Sequence, residues 1–152
     1  MKIPAFFKKS KKAFTLIELL VVIGILAVLL AIVLIAINPQ RQFEQANDTQ
    51  RSSDVNAILN AVHQYMVEEN GQLPPDITET ETAIADTGVD LCLLVPDFIA
   101  ALPVDPQSGI DPVDTAACAA AYDTGYTIQA TGNRVTVNAP DYEGDAPISV
   151  TR

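Results

Sequence analysis

The sequence predicts an α+β protein: a long N-terminal α-helix, apolar in its first half and amphipathic in its second, packed on a small antiparallel β-sheet head. Three observations carry that prediction. An apolar run from Phe14 to Ile37 holds a single charge, Glu18. Val55, Ile58, Leu59, Val62 and Met66 then follow helical spacing. Near the other end, GYTIQA (Gly125–Ala130) and RVTVNA (Arg134–Ala139) alternate apolar and polar residues around Thr131-Gly132-Asn133, a hairpin pattern.

The apolar run is long enough to cross a bilayer. Its 24 residues extend about 36 Å as a helix, against a hydrocarbon core of about 30 Å. All five lysines (Lys2, Lys8, Lys9, Lys11 and Lys12) precede it. From Phe14 onward four arginines face all nineteen acidic residues, a net charge of −15. A basic flank before a first apolar helix stays in the cytoplasm, so the acidic remainder is expected outside. So acidic an exterior repels phosphate and argues against nucleic acid as a direct partner.

Three processing schemes fit a basic stretch followed by an apolar one. A cleaved secretory signal has a shorter apolar core, about 7–15 residues, and a small-residue cut site after it; Leu34 and Ile37 spoil that site around Ala36. A plain signal anchor fits the hydropathy but has no use for Glu18. A carboxylate in an apolar helix wants a positive partner, and the run contains none. Cleavage between Ala13 and Phe14 would create one, the new α-amino group of Phe14.

The segment KKAFTLIELLVVIGILAVLLAI resembles the class III signal of type IV prepilins and type II secretion pseudopilins. Lys8, Lys9, Lys11 and Lys12 match its basic leader, Phe14 its first mature residue and Glu18 its fifth. Ala13 stands before the cut where the family usually has Gly. The resemblance implies removal of residues 1–13 by an inner-membrane prepilin peptidase, N-methylation of Phe14, and assembly in which Glu18 meets a Phe14 amine. It further implies identical and related pilin subunits, an assembly-platform membrane protein and its ATPase as partners. The expected organisation is a leader over 1–13, a transmembrane and polymerisation helix over 14–37, an amphipathic helix over 38–70 and an α+β head over 71–152.

Along the helix, Pro39 is expected to kink or locally melt it. Arg41, Glu44, Asp48, Arg51 and Asp54 read as a polar face, either solvated or in contact with other subunits. The stretch ANDTQRSSDVNAI resembles an A-R-D-x-x-R-x-x-D segment of many pilins, with Asn47 in place of its Arg. Asn70-Gly71 and Pro74-Pro75 end the helix. Residues 72 to about 112 read as an irregular connector, with a helical turn near Pro96-Asp97. Within it Leu94, Val95, Pro96, Leu102, Pro103, Asp105 and Pro106 look like the loop that follows the long helix in major pseudopilins. ISVT (Ile148–Thr151) is expected to add a third strand.

Cys92 and Cys118 either pair or remain as two buried thiols; a disulfide suits a small exported domain. Asp141, Glu143 and Asp145 offer oxygen ligands of the kind Ca²⁺ takes, but in no EF-hand spacing; no other cofactor is expected. His63, the only histidine, has no ligand-spaced neighbours. No nucleophile elbow, phosphate-binding glycine loop or zinc spacing occurs, so no catalytic residue is assigned and no enzyme is expected. The expected function is a filament subunit of the type IV pilus kind, held in the inner membrane with its head outside and then exported into a filament. A pseudopilin of type II secretion and a membrane-anchored binding module that never polymerises are the alternatives.

Overall fold

A computed structural model describes residues 13–108 and 110–152. The leader lysines Lys8, Lys9, Lys11 and Lys12 lie outside the described residues. The chain divides into two compact units between Pro39 and Gln40.

In the first unit, α1 spans Leu16–Ile37, and none of its 22 residues is buried. By length and composition it could cross a membrane. It ends at Asn38, whose left-handed backbone (φ 44°, ψ 79°) caps it. Asn tolerates that conformation, and the following Pro39 disfavours helical backbone at residue 38. The same proline opens α2, Pro39–Glu68, at a position where a missing N–H costs nothing. The expected disturbance at Pro39 is therefore a clean break between two helices.

The second unit is the head. Its sheet has four strands in the order β1-β2-β3-β4, every neighbour antiparallel. They are β1 (Thr82–Ala85), β2 (Asp123–Thr131), β3 (Arg134–Ala139) and β4 (Ile148–Thr151). Alternation along β2 and β3 sends Tyr126, Ile128, Ala130, Val135, Val137 and Ala139 inward. They form one core with Val55, Ile58, Leu59, Ala61 and Val62 of α2. Met66 is only partly buried at the margin of that core. Beyond α2, Asn70 and Gly71 are both left-handed (φ 56° and 88°), and the Gly71 N–H returns to the Met66 carbonyl at 2.7 Å.

The connector departs from expectation in two places. It contains β1, whose Thr82 pairs with Ile128 and whose Ile84 is fully buried. Its helical turn lies at Cys92–Leu94, upstream of Pro96-Asp97. A second short turn covers Ala117–Ala119. Cys92 and Cys118 are joined by a disulfide, Cα atoms 5.7 Å apart, which ties the two turns together. Leu102 and Val113 make an isolated antiparallel bridge inside that loop.

Candidate functional site

Two places concentrate the chemistry, one in each unit. In the first, Ala13, Phe14 and Thr15 precede α1 in non-helical backbone, all exposed; Phe14 is 88% exposed. The Ala13–Phe14 peptide bond therefore lies in an accessible, unwound segment. Thr15 is extended (φ −80°, ψ 152°) and caps the helix. Its hydroxyl accepts the Glu18 N–H at 3.2 Å, and the Glu18 carboxylate accepts the Thr15 N–H at 2.9 Å and its hydroxyl at 2.8 Å.

This reciprocal capping box satisfies two otherwise orphaned donors and places a carboxylate at the positive end of the helix dipole. It revises the argument from Glu18. In the uncut chain that carboxylate already has a partner, supplied by Thr15. The sequence signal for it is Thr-x-x-Glu ahead of an apolar run, which charge alone does not register. The remaining surface of α1 is a continuous apolar sleeve, with every large side chain from Leu16 to Ile37 about half exposed or more.

The second place is a buried charge cluster in the head. Arg51 of α2 is 0% exposed. Its Nε and Nη2 donate to the two carboxylate oxygens of Asp105, at 2.6 and 3.1 Å, in a two-pronged pair. Nη1 donates to Asp48 at 2.9 Å and to Glu143 at 3.4 Å. Asp48 also receives the backbone N–H groups of Glu143 and Gly144, at 3.0 and 2.7 Å. Glu143 takes the Asn47 amide on one oxygen and the Gln107 amide on the other. One guanidinium thus ties α2, the loop around Asp105 and the loop after β3.

Here the polar-face expectation is corrected for two residues. Arg51 and Asp54 belong to the interior, at 0% and 6% exposure. Residues at i, i+3 and i+6 stay on one side of a helix, so Asp48, Arg51 and Asp54 turn together toward the sheet. Asp54 accepts the buried Tyr126 hydroxyl at 2.9 Å and the Gln50 amide at 2.9 Å. Arg41 stays exposed and Glu44 is half-buried.

The two short likenesses noted in the sequence, around Asp48–Asp54 and around Asp105, meet at this cluster. Nothing local foretold the meeting, because Arg51 and Asp105 lie 54 positions apart. Gly125 permits it. Its φ is +76°, and a side chain there would press on the Cβ of Asp105 at 3.0 Å. That aspartate's N–H is bonded to the Thr124 carbonyl at 2.9 Å.

Electrostatics follow the contacts. Burial works to raise the Asp105 carboxyl, but Arg51 and the Gln107 N–H outweigh it and hold it below the ordinary range. Asp48 behaves likewise, with the Glu143 N–H and Arg51 overcoming burial. Glu143 is lowered by the Asn47 and Gln107 amides and then by Arg51. Asp54 is raised, because burial exceeds what Tyr126 and Gln50 donate. Tyr126 is raised by burial and by its bond to Asp54.

Of the calcium candidates, Asp141 and Asp145 are exposed, while both oxygens of Glu143 are already engaged. Among the described residues no group of three His, Cys, Asp or Glu side chains is arranged to hold a metal ion. The His63 Nδ1 sits 2.7 Å from the Leu59 carbonyl of its own helix.

Neither a curated protein nor a solved structure matches the chain. Residues 8–34 match the family described as the prokaryotic N-terminal methylation motif. That match spans the leader lysines, the Ala13–Phe14 bond, Glu18 and most of α1; the head lies outside it. Residues 8–34 thus carry the N-terminal signal found in type IV prepilins and pseudopilins.

Proposed function

We infer that this protein is a structural subunit of a type IV pilus-like filament. A prepilin peptidase cuts between Ala13 and Phe14 and N-methylates Phe14. The subunit waits as a single-pass protein of the inner membrane, N-terminus inside and head outside. An assembly platform and its ATPase then draw it into a filament with identical and related subunits. One observation carries this reading: α1 is an apolar rod with no buried residue and one charge, Glu18, set one turn from the cleavage bond. Such a surface needs lipid or other helices around it throughout its life. Moving from lipid into a helical filament core keeps it covered.

Glu18 gives that transfer its register. Cleavage leaves Thr15 in place, so the carboxylate keeps its cap and gains a nearby amine, in its own chain or the next. A subunit set at the wrong height would bury an unpaired charge, which is strongly unfavourable. Glu18→Ala is expected to leave leader removal intact while abolishing most filament. Mass spectrometry of the N-terminus and the mass of sheared filaments check the two halves separately. An uncut N-terminus in the wild-type protein would overturn this function in favour of a plain membrane-anchored module.

A second reading is a pseudopilin of a type II secretion system, favoured by the Leu94–Pro106 likeness to major pseudopilins. A deletion strain separates the two. Loss of exoprotein secretion supports the pseudopilin, and loss of surface filaments under electron microscopy supports the pilus.

A further inference from the structure

If the chain polymerises, its heads must pack although they repel. Residues 40–152 hold eighteen acidic residues against four arginines. Arg51 is consumed inside the head, and among the described residues every ion pair is its own. Bringing identical acidic surfaces together raises the free energy unless the other cations meet carboxylates of the next copy.

Two of the remaining arginines lie at one end of the sheet. Arg134 opens β3 and Arg152 follows β4, both exposed. The backbone N–H and carbonyl of Arg152 pair with those of Val135, so the backbones of the two arginines run side by side at the end of the sheet where β2 turns into β3. The Arg152 guanidinium is steadied by the side-chain oxygens of Asn60 at 2.8 Å and Asn56 at 3.4 Å. These side-chain partners are neutral.

Asp123 opens β2 at the opposite end, eight residues from Thr131, or about 27 Å along the strand. There a cleft of about 400 Å³ has Val113, Ala117 and Tyr122 in its lining and carries Asp86, Asp111 and Asp123. All three aspartates are exposed. Asp123 is partly engaged by the Gly125 N–H at 2.9 Å; Asp86 and Asp111 accept no side-chain hydrogen bond among the described residues.

A guanidinium has an apolar stem and a charged fork, which suits an apolar cleft edged by carboxylates. The complementary patches lie at opposite ends of one sheet, so one copy satisfies another head to tail. Such heterologous contacts propagate in rings or open filaments and do not close as two-fold dimers.

We propose that the Arg134–Arg152 end of one head docks into the Asp86–Asp111–Asp123 cleft of the next copy. The contact deepens the filament reading and rests on it: the apolar helices supply cohesion, and this pairing lets acidic heads lie side by side.

The test uses the full chain as the only copy in its own cell. Three variants are compared: Arg134→Glu with Arg152→Glu, Asp86→Lys with Asp111→Lys, and all four together. Leader removal and membrane content, measured on each, report folding and processing. Each double variant is expected to cut the mass of sheared filaments about tenfold, as like charges now face each other. The fourfold variant is expected to recover most of it, because the charges are exchanged and not removed. Normal filament yield from either double variant would overturn the docking contact while leaving the filament reading intact. So would a fourfold variant no better than the doubles at unchanged membrane content. A wild-type protein that is cut but forms no filament would overturn the filament reading, and the contact with it.

Discussion

Arg51 shows how one residue can decide a local structure. Its guanidinium is fully buried and meets three carboxylates. A buried ion pair is not stabilising in itself, since desolvation offsets attraction; removing one partner is what costs, about 3–5 kcal/mol. Arg51→Met is therefore expected to destabilise the head by about that amount, because Asp105 is left buried without its cation. Arg51→Met combined with Asp105→Leu should recover most of the loss, since two apolar side chains then face each other. Thermal unfolding of the full chain in detergent, followed by circular dichroism, measures both. Gly125 works on the same contact from the other side. Its left-handed backbone would strain any side chain, and Asp105 would have to give way to it.

Among the elements, legibility followed the range of the interactions that make each one. α1 and the β2–β3 hairpin are specified by their own residues, through unbroken hydropathy in one case and alternation around a Gly turn in the other. β1 is four residues long, two of them alanine, and exists because Thr82 and Ala83 find Ile128 and Thr127 far along the chain. Weak local propensity with a remote partner is what a sequence pattern cannot register. The capping box at Thr15 and Glu18 is local and is written as Thr-x-x-Glu ahead of an apolar run.

Among its described residues, the segment that holds the Cys92–Cys118 loop has little regular structure beyond two short 3₁₀ helices and one bridge. Its order leans on the disulfide, which closes a sequence separation of 26 residues. Cys92→Ser with Cys118→Ser is expected to lower head stability by roughly 3–4 kcal/mol on the chain-entropy account. Urea unfolding of the oxidised protein and of the double variant compares them directly.

At the scale of the molecule, the acidic head carries its own pH dependence. Asp105, Asp48 and Glu143 lie below their ordinary values of 3.8, 3.8 and 4.5 when folded. Each contributes stability that is complete above those values and is lost as pH falls through the lower folded one. Asp54 runs the other way: raised by burial, it favours the fold at low pH, and that contribution fades as pH rises through its elevated value. Glu81 is held low as well, by the Thr127 hydroxyl and the Asn138 amide, and four groups against one predict a head whose melting temperature falls once the pH drops below about 4. The slope should shrink in the variant that joins Arg51→Met with Asp105→Leu, because the central ion pair no longer titrates. Melting temperatures taken at pH 7 and pH 3 for both proteins test this.

The amino-acid sequence by itself determined where the molecule is oily, where it is acidic, and where the prepilin-type signal lies. Those properties are written in consecutive residues and need no partner to be read. Tertiary structure alone decided that Arg51 and Asp54 face inward, that Glu143 is bound by Arg51, Asn47 and Gln107, and that arginines and an aspartate cleft stand at opposite ends of one sheet. A charged side chain reads as surface until folding brings an opposite charge to it from 54 or 92 positions away, and only the packed chain specifies which charges those are.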